Sequence, residues 1–437
     1  MESLFPAAIA LFGGLMMTRL FKLLNLKFPD VTAFLIAGVC VGPFVLGKLG
    51  IEGLGFTSIE EVGKTLVLSN AALGFIAFDI GNEFRMSQLK KTGRAALVIG
   101  ICQAAFATFL VDLVLIILHY VLGPEVLPLP VAVTLGAIAS ATAPAATLMV
   151  VRQYKAKGPL TDLLLPIVAL DDAVGLVLFA VSIGIAQAID GGSLSAVAVL
   201  LNPLLEIFCS ILLGAIMGTL LTVLEKLFFS NSNRLSLTIA FVLMTIALAS
   251  MEFDYENGVN IGFSPLLVCM MLGTVFCNFS EYSTDIMERS EKWTAPLYAT
   301  FFVLSGAQLD LGVFRYPLIV LIGVTYIIIR SIGKYTGASL SSTVMGCESN
   351  VRKYLGITLL PQAGVALGMV VNAQCLGESM GSMIRNIILF SVLIYELAGP
   401  MMTKWALGKA GEIKPGVSDA QNRARFHHKA KIQNDAS

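Results

Sequence analysis

The centre of one long apolar stretch, residues 160–189, reads Leu165-Pro166-Ile167-Val168-Ala169-Leu170-Asp171-Asp172-Ala173-Val174-Gly175-Leu176. A helix rises about 1.5 Å per residue, so this stretch is long enough to cross a hydrocarbon layer about 30 Å thick. An ionised, unpaired carboxylate at that depth costs on the order of several kcal/mol, and acids placed there typically mark an ion or proton pathway. The adjacent acids therefore predict a membrane-spanning helix that carries a functional site.

Asp171 and Asp172 point about 100° apart on a helix, so their carboxylates occupy different surroundings. We expect one of them to face an ion path and the other to face a protein partner. A dehydrated cation can displace a proton from a carboxylate because both neutralise the same charge. The hypothesis is that Asp172 carries the cation and the proton in turn, and that Asp171 pairs with a buried base.

The remaining chain has the composition of a membrane protein: 56% of its 437 residues are hydrophobic and 13% are charged. A soluble domain of this length needs more charged side chains to cover its surface. The net charge of zero gives no basic signature for nucleic acid. No nucleotide-binding motif is complete, so we expect no cofactor, no enzyme activity and an ion gradient as the energy source.

Breaking the apolar sequence at charged and Gly/Pro-rich positions predicts an all-α protein with thirteen membrane spans. The spans lie near 4–21, 31–47, 65–82, 95–122, 129–151, 160–189, 196–224, 235–251, 259–278, 294–309, 316–345, 354–376 and 384–406. Basic residues concentrate in alternate connections, which places the N-terminus outside and the C-terminus inside. Residues 1–408 then form a transmembrane domain, and residues 409–437 form a short polar cytoplasmic tail.

The spans also suggest two inverted repeats, about 31–189 and 259–406, around a central span at 196–224. The third span ends in Gly81-Asn82-Glu83-Phe84-Arg85-Met86, and the tenth ends in the similar Gly306-Ala307-Gln308-Leu309-Asp310-Leu311. An odd offset between matching spans inverts one copy relative to the other, as in many secondary transporters.

In this repeat the fifth span matches the twelfth, and each contains a proline near mid-membrane, Pro144 and Pro361. Proline removes a helical hydrogen bond, and the nearby Gly364 adds flexibility. In lipid, free backbone groups are tolerated only where protein or a water-filled cavity satisfies them. We therefore expect two crossed broken helices at an ion site, and an ordinary proline kink in each span is the alternative.

Arg330 and Lys334 lie one turn apart in the eleventh span and are the basic residues placed deepest in any span. Lys334 is the predicted partner of Asp171. Arg330 is an accessory candidate that reaches either a lipid headgroup or an acid on another helix. The acids that could pair with it or line an access funnel are Asp79, Asp112, Glu206 and Glu396.

With these residues, the chain resembles the monovalent cation:proton antiporter superfamily, and most closely its NapA-like electrogenic Na+/H+ antiporter branch. The Asp171-Asp172 pair is similar to the paired-aspartate motif of that branch, and Thr142-Ala143-Pro144 is similar to its unwound-helix motif. Lys334 falls where the ion-pair lysine of the branch is expected. The resemblance extends from the second span to the thirteenth and includes the segment from Gly306 to Asp310.

The resemblance implies an NhaA/NapA-like antiporter fold with a dimerisation domain and a six-helix core domain. It implies a homodimer in the bacterial cytoplasmic (inner) membrane that works by an elevator-like motion of the core. The expected function is exchange of H+ for Na+ or Li+ by alternating access, with Na+ bound at Asp172 and Thr142 in the site. Two adjacent aspartates imply electrogenic exchange.

Ion selectivity depends on cavity size and ligands, so a K+/H+ antiporter remains an alternative. A cation channel, a proton-sensing membrane protein and a sodium-coupled symporter of organic solutes are further alternatives. A channel would need a continuous pore, a sensor would need a signalling domain, and a symporter would not require the buried acids and lysine together.

Overall fold

The computed structural model describes residues 4–24, 26, 28–49, 55–189, 196–251, 253–254, 260–309 and 317–413. The α-helices are Leu4–Leu23 (α1), Asp30–Val41 (α2), Ile59–Gly63 (α3), Leu66–Gly81 (α4), Met86–Leu122 (α5), Leu129–Ile138 (α6), Pro144–Tyr154 (α7), Pro159–Ile189 (α8), Ala196–Leu224 (α9), Asn231–Ala249 (α10), Pro265–Phe279 (α11), Ser283–Ala307 (α12), Pro317–Val344 (α13), Ser349–Thr358 (α14), Gly364–Asn372 (α15) and Glu378–Lys409 (α16). One short antiparallel pair joins Phe253–Asp254 to Asn260–Ile261.

Seven helical segments of the described part are long and apolar enough to cross a membrane. They are Asp30–Leu49, Thr92–Leu122, Pro159–Ile189, Leu204–Leu227, Asn231–Ala249, Pro317–Val344 and Glu378–Lys409. Shorter apolar helices lie at Val67–Gly81, Leu129–Ile138, Pro265–Phe279 and Val365–Leu376. Helices suit a hydrocarbon solvent because they satisfy their backbone hydrogen bonds internally. The chain is therefore a helical membrane protein.

Every predicted span coincides with a helix or with a pair of helices, while the number of membrane crossings stays a prediction. The fifth predicted span is the pair α6 and α7, and the twelfth is the pair α14 and α15. The largest difference is at α12, which begins at Ser283 and not near position 294. The polar sequence before position 294 continues this helix beyond the apolar run. Asp310 and residues 414–437 of the predicted tail lie outside the described residues.

One group of helices, which we call the scaffold body, consists of α1, α2, α4, α10, α11 and α12. Two of its crossings have no room for a side chain at the contact. Gly38 and Gly306 lie where α2 crosses α12, and Gly81 and Gly273 lie where α4 crosses α11. A Cβ atom at any of the four would come within 2.0–2.3 Å of a backbone oxygen on the partner helix.

These two crossings occupy matching places in the predicted repeat. The repeat pairs α2 with α11 and α12 with α4. The crossing of α2 with α12 is therefore equivalent to the crossing of α11 with α4. Gly81 and Gly306 are also equivalent in the two similar segments found in the sequence. Two inverted repeats would place the crossings in this way, and the repeat itself stays a prediction.

A second group, the core body, consists of α5, α6, α7, α8, α13, α14, α15 and α16. Its centre is the long contact between α5 and α13. A Cβ atom at Gly333 would lie 2.8 Å from Ala107 Cα, and one at Gly337 would lie 2.9 Å from Gln103 Cα. Small residues thus bring these two helices close together, as is typical in membranes. Helix α9 packs against α11 of the scaffold body and against α8 of the core body.

Candidate functional site

Two interrupted helices meet inside the core body. The interruptions are residues 139–143, between α6 and α7, and residues 359–363, between α14 and α15. Pro144 opens α7 at a position where its missing N–H costs no helical hydrogen bond. The Ala143 N–H donates to the carbonyl oxygen of Pro361 over 2.8 Å. The two non-helical segments are therefore hydrogen-bonded to each other.

Arg330 of α13 binds carbonyl oxygens of both interruptions, which lack helical partners. Its Nε and Nη2 donate to the carbonyl oxygens of Ala139 and Ala141 over 3.0 and 2.5 Å. Its Nη1 donates to the carbonyl oxygen of Leu360 over 2.7 Å. The guanidinium is fully buried and also stacks over the Tyr395 ring, 4.5 Å from its centroid. A planar group with five fixed donors is suited to joining the two segments.

Asp171 of α8 has hydrogen bonds at both carboxylate oxygens. Its Oδ2 accepts from Thr142 Oγ1 over 2.6 Å and lies 3.0 Å from Lys334 Nζ. Its Oδ1 accepts from Gln103 Nε2. The same ammonium donates to the Thr142 hydroxyl over 2.8 Å and to the Ser140 carbonyl oxygen. A buried ion pair persists when further hydrogen bonds satisfy both charges, and this pair meets that condition.

Asp172, the next residue, lies in different surroundings. It is 6% exposed, and its Oδ1 has no hydrogen-bond partner among the described residues. It lines a cavity of about 550 Å³, together with the polar side chains of Asn70, Glu206, Asn372 and Glu396. No basic residue lies among the described residues at the cavity wall. Because the charged groups there are all acidic, the cavity attracts cations and repels anions.

A buried carboxylate without a protein partner needs a proton or a cation to neutralise it. The two ligands compete for the same oxygen atoms, so binding of one excludes the other. Asp171 does not offer this competition because Lys334 already neutralises it. The site therefore offers one carboxylate, Asp172, at which a cation and a proton would compete.

Arg152, in the last turn of α7, joins the core body to the scaffold body. Its Nη1 lies 2.7 Å from Asp79 Oδ2 on α4, and its Nε lies 3.8 Å from Glu291 Oε1 on α12. The hydroxyl of Tyr298 on α12 donates to the same Asp79 oxygen. We call these four residues the Arg152 cluster. It ties the two bodies together at the end of α7 opposite to the one that lines the Asp172 cavity.

The helix that carries the aspartates is also held at its start. The Glu412 carboxylate accepts from the backbone N–H groups of Leu160 and Thr161 over 2.6 and 2.8 Å. It accepts from the Thr161 hydroxyl over 2.6 Å as well. A carboxylate at this end of a helix is favourable because the backbone N–H groups there have no helical acceptors. The segment after α16 thus fixes the position of α8.

The structure brings several of the predicted site residues together. Thr142, Asp171 and Lys334 form one hydrogen-bonded group, and Asp172 lies next to it on the cavity wall. The predicted helix breakers all lie at the interruptions: Pro144 begins α7, Pro361 lies between α14 and α15, and Gly364 begins α15.

The partners of Arg330 differ from those predicted. It binds backbone carbonyl oxygens instead of an acid or a lipid headgroup. Asp79, one of the acids proposed for it, pairs with Arg152. Two glutamines of the site were not among the predicted residues. Gln103 binds Asp171, and Gln362 donates to the carbonyl oxygen of Ile138 over 3.0 Å. An amide inside an otherwise apolar span is the signal that could have found both.

The chain matches a family model described as "Sodium/hydrogen exchanger, transmembrane" over residues 7–409. The Na(+)/H(+) antiporter NhaS4 of Synechocystis sp. is 24% identical over 407 residues, which are 89% of this chain and 94% of that protein. The K(+)/H(+) antiporter subunit KhtU of Bacillus subtilis is 24% identical over 414 residues, which are 91% of this chain and 94% of that protein.

The fold is similar to that of the sodium proton antiporter MjNhaP1 from Methanocaldococcus jannaschii. Its structure at pH 8 has a TM-score of 0.68 at 16% identity and covers 94% of this chain and 99% of that chain. An electron microscopy structure of the same antiporter gives a TM-score of 0.67 at 18% identity. Because the family model matches nearly the whole chain, the chain belongs to the sodium/hydrogen exchanger family, and it is a transmembrane cation/proton antiporter.

Proposed function

We propose that this antiporter exchanges H+ for Na+ or Li+ by alternating access, with Asp172 as the carrier of both ions. The proposal rests on the different hydrogen bonding of the two neighbouring acids, Asp171 and Asp172. Asp171 is hydrogen-bonded at both oxygens, whereas Asp172 Oδ1 has no partner in the described part of the chain and the residue lines an acidic cavity. Of these two acids, Asp172 is therefore the one with an oxygen atom free for a transported ion.

The exchange is proposed to be electrogenic. When a cation binds at Asp172, Asp171 breaks its ion pair with Lys334. The buried Lys334 ammonium then has no carboxylate partner, so it gives up its proton. Together with the proton displaced from Asp172, two protons move for each cation, so each cycle transfers net charge.

Alternating access is proposed to come from an elevator-like motion of the core body against the scaffold body in a homodimer. The glycine crossings at Gly38 and Gly81 support a rigid scaffold, since the backbones there are in direct contact. The matching of those crossings supports two inverted repeats, about 31–189 and 259–406, around α9. Thirteen crossings with the N-terminus outside complete the arrangement, in a bacterial cytoplasmic membrane.

K+/H+ exchange is the second candidate. One relative is named a K(+)/H(+) antiporter subunit and another a Na(+)/H(+) antiporter, and both are 24% identical to this chain. Sequence similarity thus favours neither ion. A cavity lined by amide and carboxylate oxygens suits either ion, and its size in the loaded state decides between them.

The test is exchange in proteoliposomes that contain an internal pH dye, with Na+, Li+ or K+ added outside. We expect Na+ and Li+ to change the internal pH in the wild type but not in Asp172→Asn. Asp162→Asn, at the exposed start of the same helix, is the matched control and should behave as the wild type. A response to K+ alone would select the second candidate. Exchange that survives in Asp172→Asn would remove Asp172 as the carrier.

A further inference from the structure

A second buried acid lines the cavity that Asp172 lines. Glu396 lies on α16, is 8% exposed, and its Oε2 has no hydrogen-bond partner among the described residues. We infer that Glu396 is a second binding site for the transported monovalent cation in this cavity, beside the site at Asp172. This inference rests on the proposed exchange at Asp172.

The buried bases of the core body are engaged elsewhere. Arg330 binds three backbone carbonyl oxygens, and Lys334 binds Asp171. Glu396 therefore faces the cavity without a basic partner such as the one that Lys334 provides for Asp171. A carboxylate in this condition is neutralised by a proton or by a cation from the cavity.

Glu206, the third acid at the cavity wall, is less suited to hold a dehydrated ion. It lies on α9, outside the core body, and is only half-buried, so it would enclose a bound ion less completely. Glu396 and Asp172 both belong to the core body, and an ion at either one moves with that body. Glu396 is thus the acid placed to share the transported cation with Asp172.

The surrounding ligands fit a small, hard cation. Asn70 and Asn372 bring amide groups to the same cavity, and amide and carboxylate oxygens are the ligands that such cations prefer. Within the described residues, no three His, Cys, Asp or Glu side chains converge on one metal position. The described residues thus offer no cage of three such side chains, and the sites at Asp172 and Glu396 each rest on one carboxylate.

The first experiment measures stabilisation of the purified protein by Na+, with choline replacing Na+ to keep the ionic strength constant. A ligand that binds the folded state raises the unfolding temperature. We expect Asp172→Asn to keep part of the Na+-dependent rise in the unfolding temperature, and the double variant Asp172→Asn/Glu396→Gln to lose it. Loss of the whole rise in Asp172→Asn alone would overturn the inference.

The second experiment measures the KM for Na+ in proteoliposomes. Glu396→Gln should raise KM about tenfold, the effect of losing about 1.4 kcal/mol of binding. Glu396→Asp, which keeps the charge, should recover part of the affinity. Glu378→Gln is the matched control, because Glu378 lies on the same helix but is exposed. If Glu396→Gln does not fold, the Glu396→Asp variant carries the test, since its shorter carboxylate should still raise KM.

The outcomes separate this inference from the proposed function. A wild type that exchanges no protons for any alkali cation would contradict the proposed function. A wild type that exchanges Na+ through Asp172, with both Glu396 variants matching Glu378→Gln in KM, would overturn only the role of Glu396.

Discussion

Lys334 Nζ lies 3.0 Å from Asp171 Oδ2, and both side chains are completely buried. The pair joins α13 to α8, and it also engages the first interruption through the Thr142 hydroxyl. Removing one member of such a pair leaves the other as an uncompensated buried charge, whereas neutralising both removes the problem. The pair therefore contributes to the stability of the core body as well as to the proposed exchange.

We expect Lys334→Met to lower the free energy of unfolding by about 3–5 kcal/mol, because it leaves the Asp171 carboxylate unpaired in the core. Adding Asp171→Asn should restore a large part of that loss while exchange stays impaired. Thermal unfolding of the purified variants in detergent measures both effects. A double variant that is no more stable than Lys334→Met would show that the two charges are not coupled.

Arg330→Lys should destabilise the core body although it keeps the positive charge. A single ammonium cannot reproduce the fork that binds Ala139, Ala141 and Leu360, and each lost bond to a charged group is worth about 1.5–3 kcal/mol. We expect an unfolding temperature clearly below that of the wild type. Arg289→Lys, at an exposed salt bridge, is the control and should change stability by no more than about 1 kcal/mol.

Arg152→Gln should loosen the contact between the two bodies at the Arg152 cluster. In a cysteine-free background, a cysteine at Met149, which lines the neighbouring cavity of about 480 Å³, reports on that contact. We expect it to react at least about tenfold faster with a water-soluble thiol reagent, the factor that corresponds to 1.4 kcal/mol. Lys292→Gln on α12 is the control, since its partner Glu288 is exposed. Equal reaction rates in both variants would show that the cluster does not hold the two bodies together at this contact.

The proposed competition at Asp172 predicts how the apparent affinity for Na+ depends on pH. Protonation removes the charge that the cation needs, so lowering the pH raises the apparent KM for Na+. The proton displaced from Asp172 alone makes this increase approach about tenfold per pH unit once most of the carboxylate is protonated, and release of the Lys334 proton in the same step makes it steeper. Initial rates in proteoliposomes at several pH values measure this slope. A KM that is independent of pH would contradict direct competition.

Gly38→Ala should disrupt the scaffold body, because the new methyl group would lie 2.0 Å from the carbonyl oxygen of Val303. Backbone oxygen cannot move aside as a flexible side chain can, so we expect little folded protein after purification. Gly408→Ala is the control, since nothing lies within 4 Å of a Cβ atom there. Alanine is also the better helix former, so this variant should be as stable as the wild type or slightly more stable.

Much of the helical architecture could be predicted from the sequence, because the signal is local. Apolar length predicts a span, and proline predicts an interruption, as at Pro144 and Pro361. Periodicity also separates the surroundings of Asp171 and Asp172, since adjacent helix positions point in different directions. The early start of α12 could not be predicted from the sequence, because polar residues mark where the membrane ends and not where the helix ends.

The contacts that complete the site could not be predicted, because they join residues far apart in the sequence. The depth of Arg330 follows from its place in an apolar run, but the free carbonyl oxygens that it binds depend on how two interruptions meet. Arg152 and Asp79 come together only through packing of α7 against α4. Gln103 gave no signal beyond being an amide among small residues.

The permanent charge of Arg330 determines how the membrane potential acts on the proposed cycle. With protons on Asp172 and Lys334, the group formed by Arg330, Lys334, Asp171 and Asp172 has a net charge of +1. With a cation at Asp172 and a neutral Lys334, the same group together with its cation has a net charge of zero. A potential of 100 mV would therefore do about 2.3 kcal/mol of work on the proton-loaded core if it crossed the whole field, and none on the cation-loaded core. The proton-loaded step is then the one that the membrane voltage drives.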